Sequence, residues 1–224
     1  MGWRAHSIKT LRVHIADGLH DLIFPPRCLG CGLLHYEVCG ACAKELRIRE
    51  YRSLIGSTPV FSSILYNPIA GHVLLAAKED GIRKADDILV RALQHSLRHA
   101  MRDCELRPTL VPIPHSKRAI RKRGRNFVAE ISDRLSQSES LPVRQLIRHN
   151  RKISDQSLLD AAARLGNVSG AMSVTHQRGR ATEVMLVDDL MTTGATLGEA
   201  VRTLESAGFR VVAAVTALVA LPLR

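Results

Sequence analysis

Aromatic residues are scarce in this chain of 224 residues: three Tyr, four Phe and one Trp, 4% in all. Aromatic platforms for stacking bases must therefore be sparse. No run of 18 apolar residues occurs, so no transmembrane helix is expected. The most apolar stretch, Val211 to Leu223, is too short to span a bilayer and reads as a buried strand. There is no Walker motif, no G-x-G-x-x-G and no internal repeat. Gly166 to Gly170 (GNVSG) is not a nucleophile elbow, because Ser169 stands in the wrong place. Acidic residues are outnumbered, 21 against 32 Lys and Arg, for a formal charge of +11. That balance favours polyanionic partners: phosphorylated metabolites, nucleic acid or an acidic membrane surface.

The N-terminus lacks an uninterrupted apolar core and carries Arg4, Lys9 and Arg12, which excludes a secretory signal. A transit peptide stays open, and His6 breaks the myristoylation pattern. A cytoplasmic location is the expectation. Residues 7–24 place Ile8, Leu11, Ile15, Leu19, Leu22 and Ile23 on one helix face, which docks on its own domain or serves a membrane or partner surface. Pro25-Pro26 ends that helix.

The first chemical signature is Cys28-x2-Cys31-x7-Cys39-x2-Cys42. Each Cys-x2-Cys knuckle presents two thiolates to one metal, and four thiolates in tetrahedral array suit structural Zn2+. Two disulfides are the alternative, which a cytosolic location disfavours. His35 could replace a thiolate. Cys104 is left over in a helical pattern and reads as a small buried apolar residue.

Residues 47–58 mix charge, Gly and Ser and read as a domain boundary, dividing an element of residues 1–50 from a domain of 51–224. Beyond it, strand patterns at 60–66, 109–113, 143–147, 184–188 and 210–219 alternate with helical patterns at 68–78, 85–104, 126–135 and 196–207. Asp155 reads as the cap of a further helix carrying Leu158, Leu159, Ala162 and Leu165. This alternation predicts an α/β fold with a mostly parallel sheet.

Val184 to Ala200 (VMLVDDLMTTGATLGEA) is the second signature. An apolar strand runs into Asp188 and Asp189, then a loop of Thr192, Thr193, Gly194, Ala195 and Thr196, then a helix. Such a loop aims backbone N–H groups and a helix N-terminus at one point, which suits a monophosphate. Adjacent carboxylates suit the vicinal hydroxyls of a ribose, and fixed negative charge stabilises a developing oxocarbenium ion. The plainer alternative is a buried strand ending in helix-capping aspartates. One Asp could cap the turn, but two adjacent ones point to opposite faces.

Between Lys117 and Arg125 lie six cations: Lys117, Arg118, Arg121, Lys122, Arg123 and Arg125. A solvated charge run is the ordinary explanation. Its place after a central strand, where open α/β sheets bind ligands, points instead to phosphate or pyrophosphate capture. A second basic cluster runs from Arg148 to Lys152.

VMLVDDLMTTGAT resembles the phosphoribosyl pyrophosphate motif of type I phosphoribosyltransferases. The chain from about Leu19 onward resembles the ComF/GntX family, whose members join a four-cysteine zinc element to that fold. The family's VPVP-basic-RG segment is matched by Val111-Pro112-Ile113-Pro114 through Arg123-Gly124. Its Q-x2-L-x4-R-x2-N spacing is matched by Gln156, Leu159, Arg164 and Asn167, and its lysine before a glycine turn by Lys78 and Gly81. Arg125, Asn126 and Phe127 depart from the family, as do Ile153 and Asp155, all on the acceptor side.

The resemblance implies a type I phosphoribosyltransferase-like fold with a small N-terminal zinc element. It implies binding of phosphoribosyl pyrophosphate or a similar ribose phosphate with Mg2+, and transfer to an undefined nitrogen acceptor. Asp188 and Asp189 would be the catalytic carboxylates, Thr192 to Thr196 the 5′-phosphate cradle, and Lys117, Arg118, Arg121, Lys122, Arg123 and Lys78 the pyrophosphate holders. The alternative the family suggests is non-catalytic handling of single-stranded DNA in natural transformation, beside a helicase-like partner.

Overall fold

The computed structural model describes residues 25–104, 107–150, 170–175 and 182–220. The helix expected at 7–24, the side chain of Cys104, the Asp155 helix, Lys152, the Gln156–Asn167 spacing and most of GNVSG lie outside them.

Strands β1 (Tyr51–Ile55), β2 (Thr58–Leu65), β3 (Thr109–Pro112), β6 (Glu183–Met191) and β7 (Arg210–Val219) form one sheet in the order β1-β2-β7-β6-β3. Every pairing is parallel except the β1–β2 hairpin at one edge. The fold is therefore α/β with a mostly parallel sheet. Its central strands read as continuous Val, Leu and Ala runs because both of their faces are covered. Val184 to Val187 and Ala213 to Val219 are all buried. A separate two-stranded ribbon pairs β4 (Ile147–His149) with β5 (Met172–Val174).

Two apolar clusters mark the two faces. On one side α2 (Pro68–Lys78), α3 (Arg83–Cys104) and α5 (Phe127–Glu139) bury Val73, Leu93, Phe127 and Ile131 against Met185, Val187 and Val215. On the other, α6 (Ala195–Ser206) and the ribbon bury Leu197, Leu204, Ile147 and Met172 against Val184, Leu186 and Ala214. Two short helices complete the set, α1 (Gly40–Glu45) and α4 (Lys117–Arg123).

Local chemistry sets the helix ends. The Asn67 side chain accepts from Ala70 N at 2.9 Å with Pro68 in the first turn, so α2 begins there. The turn after α2 contains Gly81 at φ 66°, a backbone that side chains resist. Between α3 and the sheet, Ser62 bonds Thr216 at 2.7 Å, and Ser96 donates to the Thr216 carbonyl at 2.9 Å. These buried hydroxyls satisfy one another, which lets polar groups sit inside the core.

Three local expectations change. Residues 47–58 are not a plain boundary loop: β1 and the Gly56 turn lie there, since Tyr51, Ser53 and Ile55 alternate with more exposed neighbours against β2. The strand expected at 143–147 divides, with Val143 bridging Leu110 in parallel and Ile147 starting the ribbon. Strand 184–188 starts at Glu183 and extends to Met191, so Asp189 joins Asp188 inside it.

Candidate functional site

Within β6 the two carboxylates are buried, Asp188 at 8% and Asp189 at 4% exposure. Consecutive strand residues point to opposite faces, so the pair cannot share one partner. Asp188 accepts the backbone N–H of Asp189 at 2.9 Å. Asp189 forms an ion pair with the Lys78 ammonium at the C-terminal end of α2.

Their protonation diverges. Burial, and then the neighbouring Asp189 charge, push the Asp188 carboxyl up to about 7. Burial also works against the Asp189 charge, but the Lys78 ammonium outweighs it and holds Asp189 below the usual carboxylate range. At neutral pH the fixed negative charge therefore sits on Asp189, and Asp188 is near its titration point.

Past Met191 the chain enters Thr192 and Thr193, both exposed, and turns at Gly194 with φ 76° into α6. The first N–H groups of α6 have no partner one turn back, and the helix end favours an anion. Thr193 Oγ1 accepts only a long bond, 3.4 Å, from Ala195 N. A Cβ at Gly194 would stand 3.0 Å from Ile55 at the end of β1. The hairpin thus closes one side of the loop. Nothing in the sequence around Ile55 signals that contact.

The basic run is folded and partitioned. Ser116 caps α4 by accepting from Ala119 N at 3.2 Å, and Gly124 ends it at φ 70°. Arg123 donates to Glu79 at 2.7 Å, and Lys122 lies 3.6 Å from the same carboxylate. Arg125 turns inward to Asp86 at 2.9 Å and Glu130 at 2.6 Å, over the Phe127 ring. Lys117, Arg118 and Arg121 are exposed or half-exposed and have no ion pair among the described residues. Hence Lys78, Asp189, His115 and Arg123 share one electrostatic neighbourhood, with Thr192 to Thr196 following directly after β6. Burial, then the Lys78 charge, push His115 down to about 4, so its imidazole is neutral at pH 7.

The second centre is the cysteine cluster. The sulfurs of Cys28, Cys31, Cys39 and Cys42 all lie within 4.8 Å of one another, with Cys31 and Cys39 at 3.7 Å. Four thiolates about 2.3 Å from one Zn2+ stand about 3.8 Å apart, whereas a disulfide needs about 2.05 Å. The cluster fits four-thiolate zinc, and no disulfide joins these cysteines. His35 is exposed and outside the cluster. The Cys28 thiol is lowered to about 6: burial opposes its charge, but N–H donors from Cys39, Cys31 and Gly30 prevail. The Cys42 thiol is raised by burial and by its cysteine neighbours, the crowding a metal cation relieves.

The cluster rests on α2. A Cβ at Gly30 would lie 2.7 Å from both Cys42 Sγ and Ile69, so only glycine fits there. His72 Nδ1 lies 2.6 Å from the Gly30 carbonyl, to which it donates as the Nδ1–H tautomer. Among the described residues, no helix is long and apolar enough to cross a membrane.

No protein-family model matches the chain, and no curated protein sequence does. Among solved structures it is similar to UMP synthase from Leishmania donovani (20% identity, 79% of this chain, 30% of that chain, TM-score 0.38). It is also similar to adenine phosphoribosyltransferase from Leishmania tarentolae (13%, 75% of this chain, 94% of that chain, TM-score 0.41). A third is adenine phosphoribosyltransferase from Trypanosoma brucei, solved with AMP, pyrophosphate and ribose-5-phosphate (10%, 80% and 79%, TM-score 0.40). The chain thus spans under a third of the UMP synthase chain.

Two outcomes follow from this geometry. Atomic emission on the purified protein should find one zinc per chain, and Cys42→Ser should abolish it and lower the melting temperature by roughly 5 °C or more. An acid whose pKa is raised on folding loses stability as pH climbs from its unfolded value to its folded one. Asp188→Asn should therefore stabilise the protein above pH 7, the gain growing from about pH 4 to 7 in urea titrations.

Proposed function

We propose that this chain binds phosphoribosyl pyrophosphate or a closely related ribose phosphate together with Mg2+. We further propose that it is a phosphoribosyltransferase-like protein of ComF/GntX type. In this reading residues 1–50 form a zinc element on a domain of residues 51–224. The observation that carries it is the continuity of β6: a buried pair of carboxylates with unlike protonation runs directly into a threonine–glycine loop at a helix N-terminus.

Each group then has a task. Asp188 and Asp189 accept hydrogen bonds from the ribose hydroxyls, and Asp189 carries the charge that favours an oxocarbenium-like anomeric carbon. Thr192, Thr193, Gly194, Ala195 and Thr196 hold the 5′-phosphate. The unpaired cations Lys117, Arg118 and Arg121 draw in the pyrophosphate, and Lys122 and Arg123 extend that surface through Glu79. Mg2+, when bound with the substrate, neutralises pyrophosphate oxygens. Lys78 pairs with Asp189. An arriving pyrophosphate, with more charge than one carboxylate, competes for that ammonium and frees Asp189 for the sugar.

Calorimetry with phosphoribosyl pyrophosphate and Mg2+ should give saturable binding, weakened at least tenfold in the Asp188→Asn/Asp189→Asn double variant. Equal affinity in the two proteins would sink the reading.

One observation favours a second reading, single-stranded DNA handling. No residue of α4 is buried, and Lys117, Arg118, Arg121 and Lys122 face solvent along it. Fluorescence anisotropy with an oligonucleotide should then show affinity falling steeply with salt. The log–log slope should drop by about 1.4 when Arg118 and Arg121 become Ala; an unchanged slope rejects the idea.

A further inference from the structure

A cavity of about 460 Å³ lies beside the acidic pair, between the end of β3, α4, the start of α5 and the ribbon strand β4. Its register with the sugar site is direct. Pro112 pairs with Val187, and Ile113 N donates to the Val187 carbonyl at 2.9 Å, one residue before Asp188. His115, on its wall, feels the charges of Lys78 and Asp189.

The lining has a distinct chemistry. Prolines 112 and 114 with Ile113, Ile120 and Ile147 give flat apolar walls. Asn126, Gln145 and Asn150 can each donate and accept. Lys117 and Arg148 are cations, and among the described residues no carboxylate lines the cavity.

A second observation is independent of that inventory. Four buried side-chain polar atoms among the described residues have no hydrogen-bond partner, and three belong to side chains of this one cavity: His115 Nδ1, Asn126 Oδ1 and His149 Nδ1. The other ring nitrogen of His149 is engaged with the Pro114 carbonyl at 2.8 Å. A buried unsatisfied polar atom typically destabilises a protein by about 1–3 kcal/mol, so three around one cavity point to a missing occupant. The imidazole and amide torsions are broad and two-fold, so a turn of the ring or amide presents these atoms to a ligand.

We propose that this cavity is the acceptor subsite, and that its ligand class is a small planar nitrogen heterocycle bearing a carboxylate. The apolar walls take the ring faces, the amides and imidazoles take ring N–H and carbonyl groups, and Arg148 takes the carboxylate, with Lys117 left to the pyrophosphate. A simple phosphate would leave the apolar walls and amides unused. A neutral base would leave Arg148 unused. The inference rests on the ribose-phosphate reading for its chemistry alone. There the ring nitrogen's lone pair forms the bond to the anomeric carbon, the carbon–oxygen bond to pyrophosphate breaks with its electron pair leaving on pyrophosphate, and the ring N–H proton passes to solvent.

The test is binding to the full chain in its zinc-loaded form, by calorimetry and ligand-observed NMR. The probes are orotate, its decarboxylated counterpart uracil, benzoate and inorganic phosphate. Orotate should bind more than tenfold tighter than the other three. Its affinity should fall at least tenfold in Arg148→Gln and in Asn126→Ala, with melting curves confirming that the variants fold. Equal binding of uracil or benzoate, or unchanged affinity in both variants, overturns the proposal. Asp188→Asn/Asp189→Asn separates the two readings: it should lose ribose 5-phosphate and keep orotate. Orotate binding in a wild-type protein that never binds ribose 5-phosphate supports the subsite and rejects the sugar site. The reverse result rejects the subsite and keeps the sugar site.

Discussion

Two neighbouring carboxylates at the end of a buried strand repel each other in a medium that screens charge poorly. The ion pair between Lys78 and Asp189 is what makes this tolerable, and much of the molecule serves to place that lysine. Asn67 and Pro68 set where α2 begins, the Gly81 turn follows its last turn, and Glu79 beside Lys78 gathers Arg123 and Lys122. The other aspartate has no ion pair among the described residues, and burial beside the Asp189 charge favours its protonated form. The two acids are thus accommodated differently, one by a partner and one by its raised pKa.

The same economy explains the basic run. Six cations in nine residues looked uniform as a sequence. Folding divides them by reach. Arg125 follows the αL residue Gly124, turns inward, and spans Asp86, Glu130 and the Ala77 carbonyl. Arg123 and Lys122 meet Glu79. Lys117, Arg118 and Arg121 on α4 stay in solvent. A charge count cannot make this division, because it depends on Glu79 and Asp86, 39 to 44 positions away, or on the phase of a seven-residue helix.

Much of the fold was legible for a simple reason. Runs such as Val184–Val187 and Val211–Val215 have no polar interruptions, and only strands covered on both faces tolerate that. The Asn67-Pro68 start of α2 and the Gly208 stop after α6 are equally local signals. The cysteine spacing foretold a cluster because four thiols need few intervening residues to converge. What escaped was non-local. Tyr51–Ile55 mixes charge with apolar residues and becomes a strand only by pairing with Thr58–Ser62. Met191 belongs to β6 because β7 extends alongside it to Val219. Ile55 at the threonine–glycine loop and His115 beside Lys78 are meetings of segments far apart in the chain.

Helix α2 has one end on the cysteine cluster and the other on the acidic pair. Ile69 and His72 touch the Gly30 knuckle, and Lys78 touches Asp189. Six residues of helix separate His72 from Lys78, a rigid span of about 9 Å. A thermal vibration or a chemical insult at the thiols cannot be absorbed by slack between the two ends, since a helix of this length scarcely bends. The position of the ammonium is thereby tied to that of the cysteine knuckle through one continuous helix. The element that looks like an ornament on the sheet is, mechanically, the far arm of a lever whose near arm holds the charge balance of the site.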